Sequence, residues 1–181
     1  MRDEARPHYH RAFAWYRLFR HWSSLRWDDT QGLVPSTLER RARGVFGLLL
    51  RTKTSGPGKK TLILPVFVSQ EAYVGKPWLD VGLLLLTQGE FAFERDYFLP
   101  LPHRDLTGVL QQRALYSDSA GFSRALLGTI CAEDGDALLT PLACRLWTEH
   151  SDRSGLDSWC AALGVPEHDR AFLGRWAVKS S

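Results

Sequence analysis

Residues 149–164 read EHSDRSGLDSWCAALG, and this stretch places His150 and Arg153 three residues apart. An apolar-periodic segment follows and stops at Gly164, so the spacing predicts a helix over residues 152–163 that opens at this pair. The start of a helix carries unpaired backbone N–H groups and the positive end of the dipole, so an anion is favoured there. Arg153 brings a planar fork that matches two oxygens of a phosphate or carboxylate. His150 brings a group that moves protons near neutral pH. A metal site would have no use for the arginine. The plainer alternative is an exposed helix start in which Asp152 pairs with an arginine in solvent. The two residues alone do not separate these readings.

Composition narrows the classes. The chain has 181 residues, 44% hydrophobic and 12% aromatic, enough for one domain with a sizeable core. The net charge is +3 and the basic residues are uneven: 13 of the 23 Lys and Arg lie in residues 1–60. That third of the chain is expected to face an anion. Three cysteines, Cys131, Cys144 and Cys160, are odd in number and widely spaced, which argues against a disulfide framework or a zinc site and for a reducing compartment. The charged start is unlike a secretory signal, and the longest apolar run, around Leu83–Leu86, is far below the ~18 residues of a membrane span.

The pattern reads as α+β, mainly α. A helix is expected over 8–25, a turn at WDDTQGLVP, a buried strand over 45–52 and a returning strand at TLILPVFV, with Pro65 marking an edge or a bulge. Between these strands lies KTSGPGKK, a hairpin loop. A helix is expected over 69–87 with an interruption at Gly75–Pro77, an extended segment at FERDYFLPLP, and helices near 119–129, 141–149, 152–163 and 167–174. Thr140–Pro141 is a helix start signal and Gly164 a stop.

Two further places carry chemistry. Lys53 stands where the first strand enters the loop, flanked by Arg51 and followed by Lys59 and Lys60. It is either a solvated hairpin tip or a mobile cation aimed at a phosphate. The GKKT phrase lacks the glycine spacing and the strand-to-helix switch of a phosphate-binding P-loop. Near the end, Arg175 and Trp176 follow a short amphipathic turn. Trp176 is either a core aromatic or an indole N–H donor to a phosphate.

The order of the pieces matters more than any one of them. A basic helix with Arg17 and Arg20 precedes LRWDD; a hairpin carries RTKT; a helical stretch leads to TEHSDRSGLDSW and then ALGVPEHDRAFLGRW. This series resembles the catalytic domain of the tyrosine recombinase (phage-type integrase) family, of the kind found in eukaryotic mobile elements. The resemblance runs from about residue 12 to the end and is most specific between Thr148 and Trp176.

The resemblance implies a mainly helical domain with a small antiparallel hairpin, acting on double-stranded DNA without a metal or other cofactor. In that family a tyrosine attacks the scissile phosphate and forms a 3′-phosphotyrosine link. By motif, Arg20 matches the first arginine, with Arg17 as second choice. Lys53 matches the hairpin lysine that protonates the leaving 5′ oxygen, His150 and Arg153 match the HxxR pair, and Trp176 matches the second His/Trp position. Arg17, Arg51, Lys59, Lys60 and Arg175 are expected to touch the DNA backbone. Ser23–Ser24 stands where the family has a small residue and an acid. The nucleophile is expected about nine residues beyond Trp176, past Ser181, and the five tyrosines present all precede the HxxR pair. Residues 1–181 are therefore expected to form a single catalytic-like domain cut off before its tyrosine, without a complete amino-terminal clamp. The expected setting is intracellular, nuclear in a eukaryote, with no membrane and with self-assembly on DNA. The alternatives are a non-catalytic DNA-binding remnant and a helical interaction domain.

Overall fold

The first helix is the axis on which the rest is built. In the computed structural model, which describes residues 1, 3–50, 52, 57–58, 63–72 and 77–174, α1 spans His8–Ser23. Tyr9, Ala12, Phe13, Tyr16, Phe19, Arg20 and Ser23 recur at three- and four-residue spacing and are all buried. Trp15 widens the buried face and packs near Trp78 and Phe98, at ring separations of 6.4 and 6.0 Å. A helix this apolar must be covered on several sides.

Three elements cover it. On one side lies α3, Trp78–Thr87. Its Gly82 is where the two helices meet, since a Cβ there would come within 1.8 Å of the Trp15 indole. On another side lies α6, Ser151–Ala162, seated by Gly155 against His21. The third cover is a three-stranded antiparallel sheet of order β1-β2-β3: Glu39–Arg41, Gly44–Leu49 and Leu64–Ser69. Val45 and Leu49 of β2 and Val66 and Val68 of β3 are buried in the common core. Pro65 pairs with Leu48 on β3, an edge strand, as its missing N–H requires.

After Ser24, in the left-handed region at φ 50°, the chain turns into α2, Trp27–Gln31. A turn was expected here. Five residues are too few for a periodic signal, but Asp28 and Asp29 stand in the first turn, where the helix dipole favours acids. Gln31 fixes α2 to a second hairpin, β4 (Pro100–Pro102) with β5 (Val109–Arg113). Its amide donates to the Leu99 and Ala114 carbonyls at 3.2 and 3.3 Å, and its oxygen accepts from Leu99 N–H at 2.7 Å.

The expected helix over 69–87 is corrected in its first part: β3 runs to Ser69, and the helix is Trp78–Thr87, starting after the expected break at Gly75–Pro77. Trp78 Nε1–H donates to the Gln70 carbonyl at 3.1 Å and pins the connection. The extended segment expected over residues 93–102 is a strand only at Pro100–Pro102, and its partner β5 was not foreseen.

The remaining helices follow the expected spacing: α4 Tyr116–Leu127, α5 Pro141–Leu146, α6, and α7 Glu167–Gly174. Thr140 Oγ1 caps α5 by accepting from Ala143 N–H at 3.2 Å. Gly164 takes φ 76° at the end of α6, a conformation that suits glycine. Among the described residues no helix is long and apolar enough to cross a membrane.

Candidate functional site

Glu149 and His150 stand just before α6, and Asp152 and Arg153 lie in its first turn. Glu149 and Asp152 point inward, at 1% and 4% exposure, and His150 between them is exposed. Arg153, at 3%, is almost wholly enclosed. The inward acids meet α1. Arg20 Nη1–H donates to Glu149 Oε2 and to Asp152 Oδ2, the latter at 3.2 Å, while Nη2–H donates to the Glu149 carbonyl. Arg17, one turn earlier, donates from Nη2–H to Asp152 Oδ1 at 2.9 Å and lies 4.6 Å over the Trp147 ring. Ser123 of α4 completes the set by donating to Glu149 Oε1 at 2.7 Å. Each of the four carboxylate oxygens has a donor, and two positive charges balance two negative ones.

Arg20 is enclosed, and both of its terminal nitrogens are engaged by protein acceptors. Its charge is held firmly: burial opposes it, but Tyr16, Glu149 and Asp152 outweigh that and raise its pKa. Arg17 is likewise turned toward Asp152 and Trp147 rather than outward. The periodicity of α1 carried the signal, because Arg20 is in phase with Tyr9, Phe13 and Tyr16 on the buried face. Arg26 immediately precedes α2 and is partly exposed. One turn on, Asp29 is buried with Oδ1 lacking a hydrogen-bond partner among the described residues.

His150, Arg153, Arg20 and Arg17 are thus gathered at the α1–α6 contact. Lys53, Arg51, Lys59, Lys60, Arg175 and Trp176 lie outside the described residues. Of the tyrosines, Tyr9 and Tyr16 are core residues; burial raises the pKa of both, and the Tyr9 hydroxyl donates to the Pro100 carbonyl at 3.1 Å. Among the described residues no group of three His, Cys, Asp or Glu side chains is placed to hold a metal ion.

No protein family matches the sequence, and no curated protein is similar to it at the sequence level. Solved structures are another matter. An FLP recombinase–Holliday junction complex superposes with a TM-score of 0.59 over 98% of this chain, at 15% identity. The chain folds like Flp recombinase. A Flpe–Holliday junction complex gives a TM-score of 0.53 over 94% of the chain, at 14% identity. The Flp likeness covers nearly the whole chain, so it is one of overall fold. The chain spans about two fifths of the length of these structures, 41% and 39%.

Proposed function

We propose that this chain is the phosphate-binding part of a DNA strand-exchange enzyme of the tyrosine-recombinase kind, working on double-stranded DNA and assembling with further copies on it. The observation that carries the proposal is the Flp-like fold with an HxxR pair at the first turn of α6, held from beneath by a complete ion-pair set. A recombinase works inside the cell, in the nucleus where the host is a eukaryote.

In this reading Arg153 clamps the non-bridging oxygens of the scissile phosphate. Its desolvation has already been met by the fold, so it meets growing charge in a low-dielectric setting with little reorganisation. His150 hydrogen-bonds the same group and moves a proton. Lys53 protonates the departing 5′ oxygen, and the Trp176 indole donates to the phosphate. Arg26, partly exposed before α2, replaces Arg20 as the candidate for the other guanidinium. Arg51, Lys59, Lys60 and Arg175 contact the backbone on either side. The nucleophile forms a phosphotyrosine and so conserves the bond energy for rejoining. By the spacing of the family this tyrosine follows Trp176, and Tyr9 and Tyr16, sealed in the core, do not serve.

Titration of a labelled duplex at two salt concentrations tests the proposal. Affinity is expected to fall steeply with salt, because each phosphate contact releases counterions. Arg153→Ala is expected to lower affinity and the salt slope together. Binding that ignores salt, or a variant that binds like wild type, refutes the phosphate role.

A further inference from the structure

We infer that Arg20 is a positioning residue: with Arg17, Glu149, Asp152 and Ser123 it forms a latch that sets the rotation of the first turn of α6 and so aims His150 and Arg153. This rests on the phosphate-binding role proposed for that pair.

The latch has an arrangement that bulk stabilisation does not need. Each acid precedes one residue of the pair: Glu149 is bonded to His150, and Asp152 to Arg153. A helix turns ~100° per residue, so fixing the acids inward fixes the direction of the next residues. A one-residue slip would exchange the roles and turn carboxylates toward the ligand. Two separate elements guard against that slip. From α1, Arg20 holds Glu149 by side chain and by carbonyl, and bridges to Asp152. From α4, Ser123 holds the second oxygen of Glu149. Arg17 takes the remaining oxygen of Asp152. His150 at the cap makes no side-chain capping bond, and the local support is a bond from Thr148 N–H to Ser151 Oγ at 3.3 Å.

Ionic networks of this kind contribute little to net stability, because desolvation offsets most of the attraction, and an apolar replacement of the whole set is often tolerated. That provides a clean separation. The double variant Arg20→Met with Glu149→Leu removes one positive and one negative charge, and leaves Arg17 paired with Asp152.

The experiment measures binding of a fluorescent duplex by residues 1–181 across a salt series, alongside thermal unfolding. The double variant is expected to keep the wild-type melting temperature, lose about tenfold in affinity, and show a salt slope lower by about 0.9, equivalent to one phosphate contact. Adding Arg153→Ala to it is expected to change nothing more, because an arginine already misaimed has no contact to lose. Ser123→Ala removes a single buried donor to Glu149 and is expected to lower affinity about threefold. Should the double variant fail to fold, this single variant decides the matter. A wild-type salt slope in whichever folded latch variant is measured, with Arg153→Ala still costing its full effect there, overturns the latch as a positioning device. A wild-type protein whose slope ignores Arg153→Ala overturns the phosphate reading itself, and the latch with it.

Discussion

His21 lies directly over Gly155. A Cβ at Gly155 would come 2.3 Å from the imidazole Cε1, and the ring has no room to yield, since Trp159 is 4.6 Å away centroid to centroid and Trp22 packs edge-on at 5.9 Å. The α1–α6 approach that creates the latch therefore depends on a missing side chain. Gly155→Ala would normally favour a helix, yet here overpacking dominates and is expected to destabilise the fold by about 1–3 kcal/mol. Urea unfolding measures this, and a variant more stable than wild type would mean that α6 does not press on His21.

Gln31 supplies a second test of how the corner is held. It is 1% exposed and satisfies three backbone groups of the second hairpin and its flanks. Gln31→Leu keeps the volume and strands the Leu99 N–H and the Ala114 carbonyl, while the Leu99 carbonyl keeps the Ala114 N–H at 3.1 Å. The expected cost is about 2–3 kcal/mol, the penalty of buried polar groups left unpaired. Equilibrium unfolding reads it, and a loss below half a kcal/mol would place water or another group at those atoms.

The same His21 gives the fold a pH dependence. Burial lowers its pKa, and Arg17 adds to that, although Asp152 opposes it. The unfolded chain protonates this histidine near pH 6.5 while the folded one does so lower. Between those values the unfolded state holds more protons, so stability is full above pH 6.5 and is lost as pH falls through the folded value. One proton limits the slope to about 1.4 kcal/mol per pH unit. Urea midpoints at pH 7 and 5.5 are expected to differ more for wild type than for His21→Gln, in which His10, also lowered by burial, remains. Equal differences would assign the dependence elsewhere.

The helices α1 and α4–α7 were legible because periodicity and punctuation agree there, as at Thr140–Pro141 and Gly164. The strands β2 and β3 were legible from their apolar runs and the intervening turn residues. What could not be read is set by distant partners. β4 and β5 are short and are fixed by Gln31, which precedes Leu99 by 68 residues. Arg20 shows the point most sharply. An arginine near a basic helix end suggests a ligand, but its acids come 129 and 132 residues later, and only tertiary structure brings them together. The HxxR pair was found because its parts are local. The acids interleaved with it carry no local signature of their burial.

Catalysis gives the final prediction. Residues 1–181 are expected to form no covalent adduct on a nicked suicide duplex. An attacking hydroxyl must reach the phosphate and lose its proton, whereas Tyr9 and Tyr16 are enclosed and burial raises their pKa values. Tyr116 lies on α4 with its ring against Trp27. Supplying a tyrosine-bearing segment, in the same chain or from a second protomer, is expected to produce the adduct. Arg153→Ala should then slow cleavage about a hundredfold or more, since one preorganised donor to developing charge is worth about 3 kcal/mol. Lys53→Ala should slow it as well, and a 5′-bridging sulfur should restore the rate, because a thiolate leaves without an acid. Denaturing gels resolve each species. An adduct from residues 1–181 alone would relocate the nucleophile to one of the five tyrosines present, and a Lys53→Ala defect untouched by sulfur would remove its role as the acid.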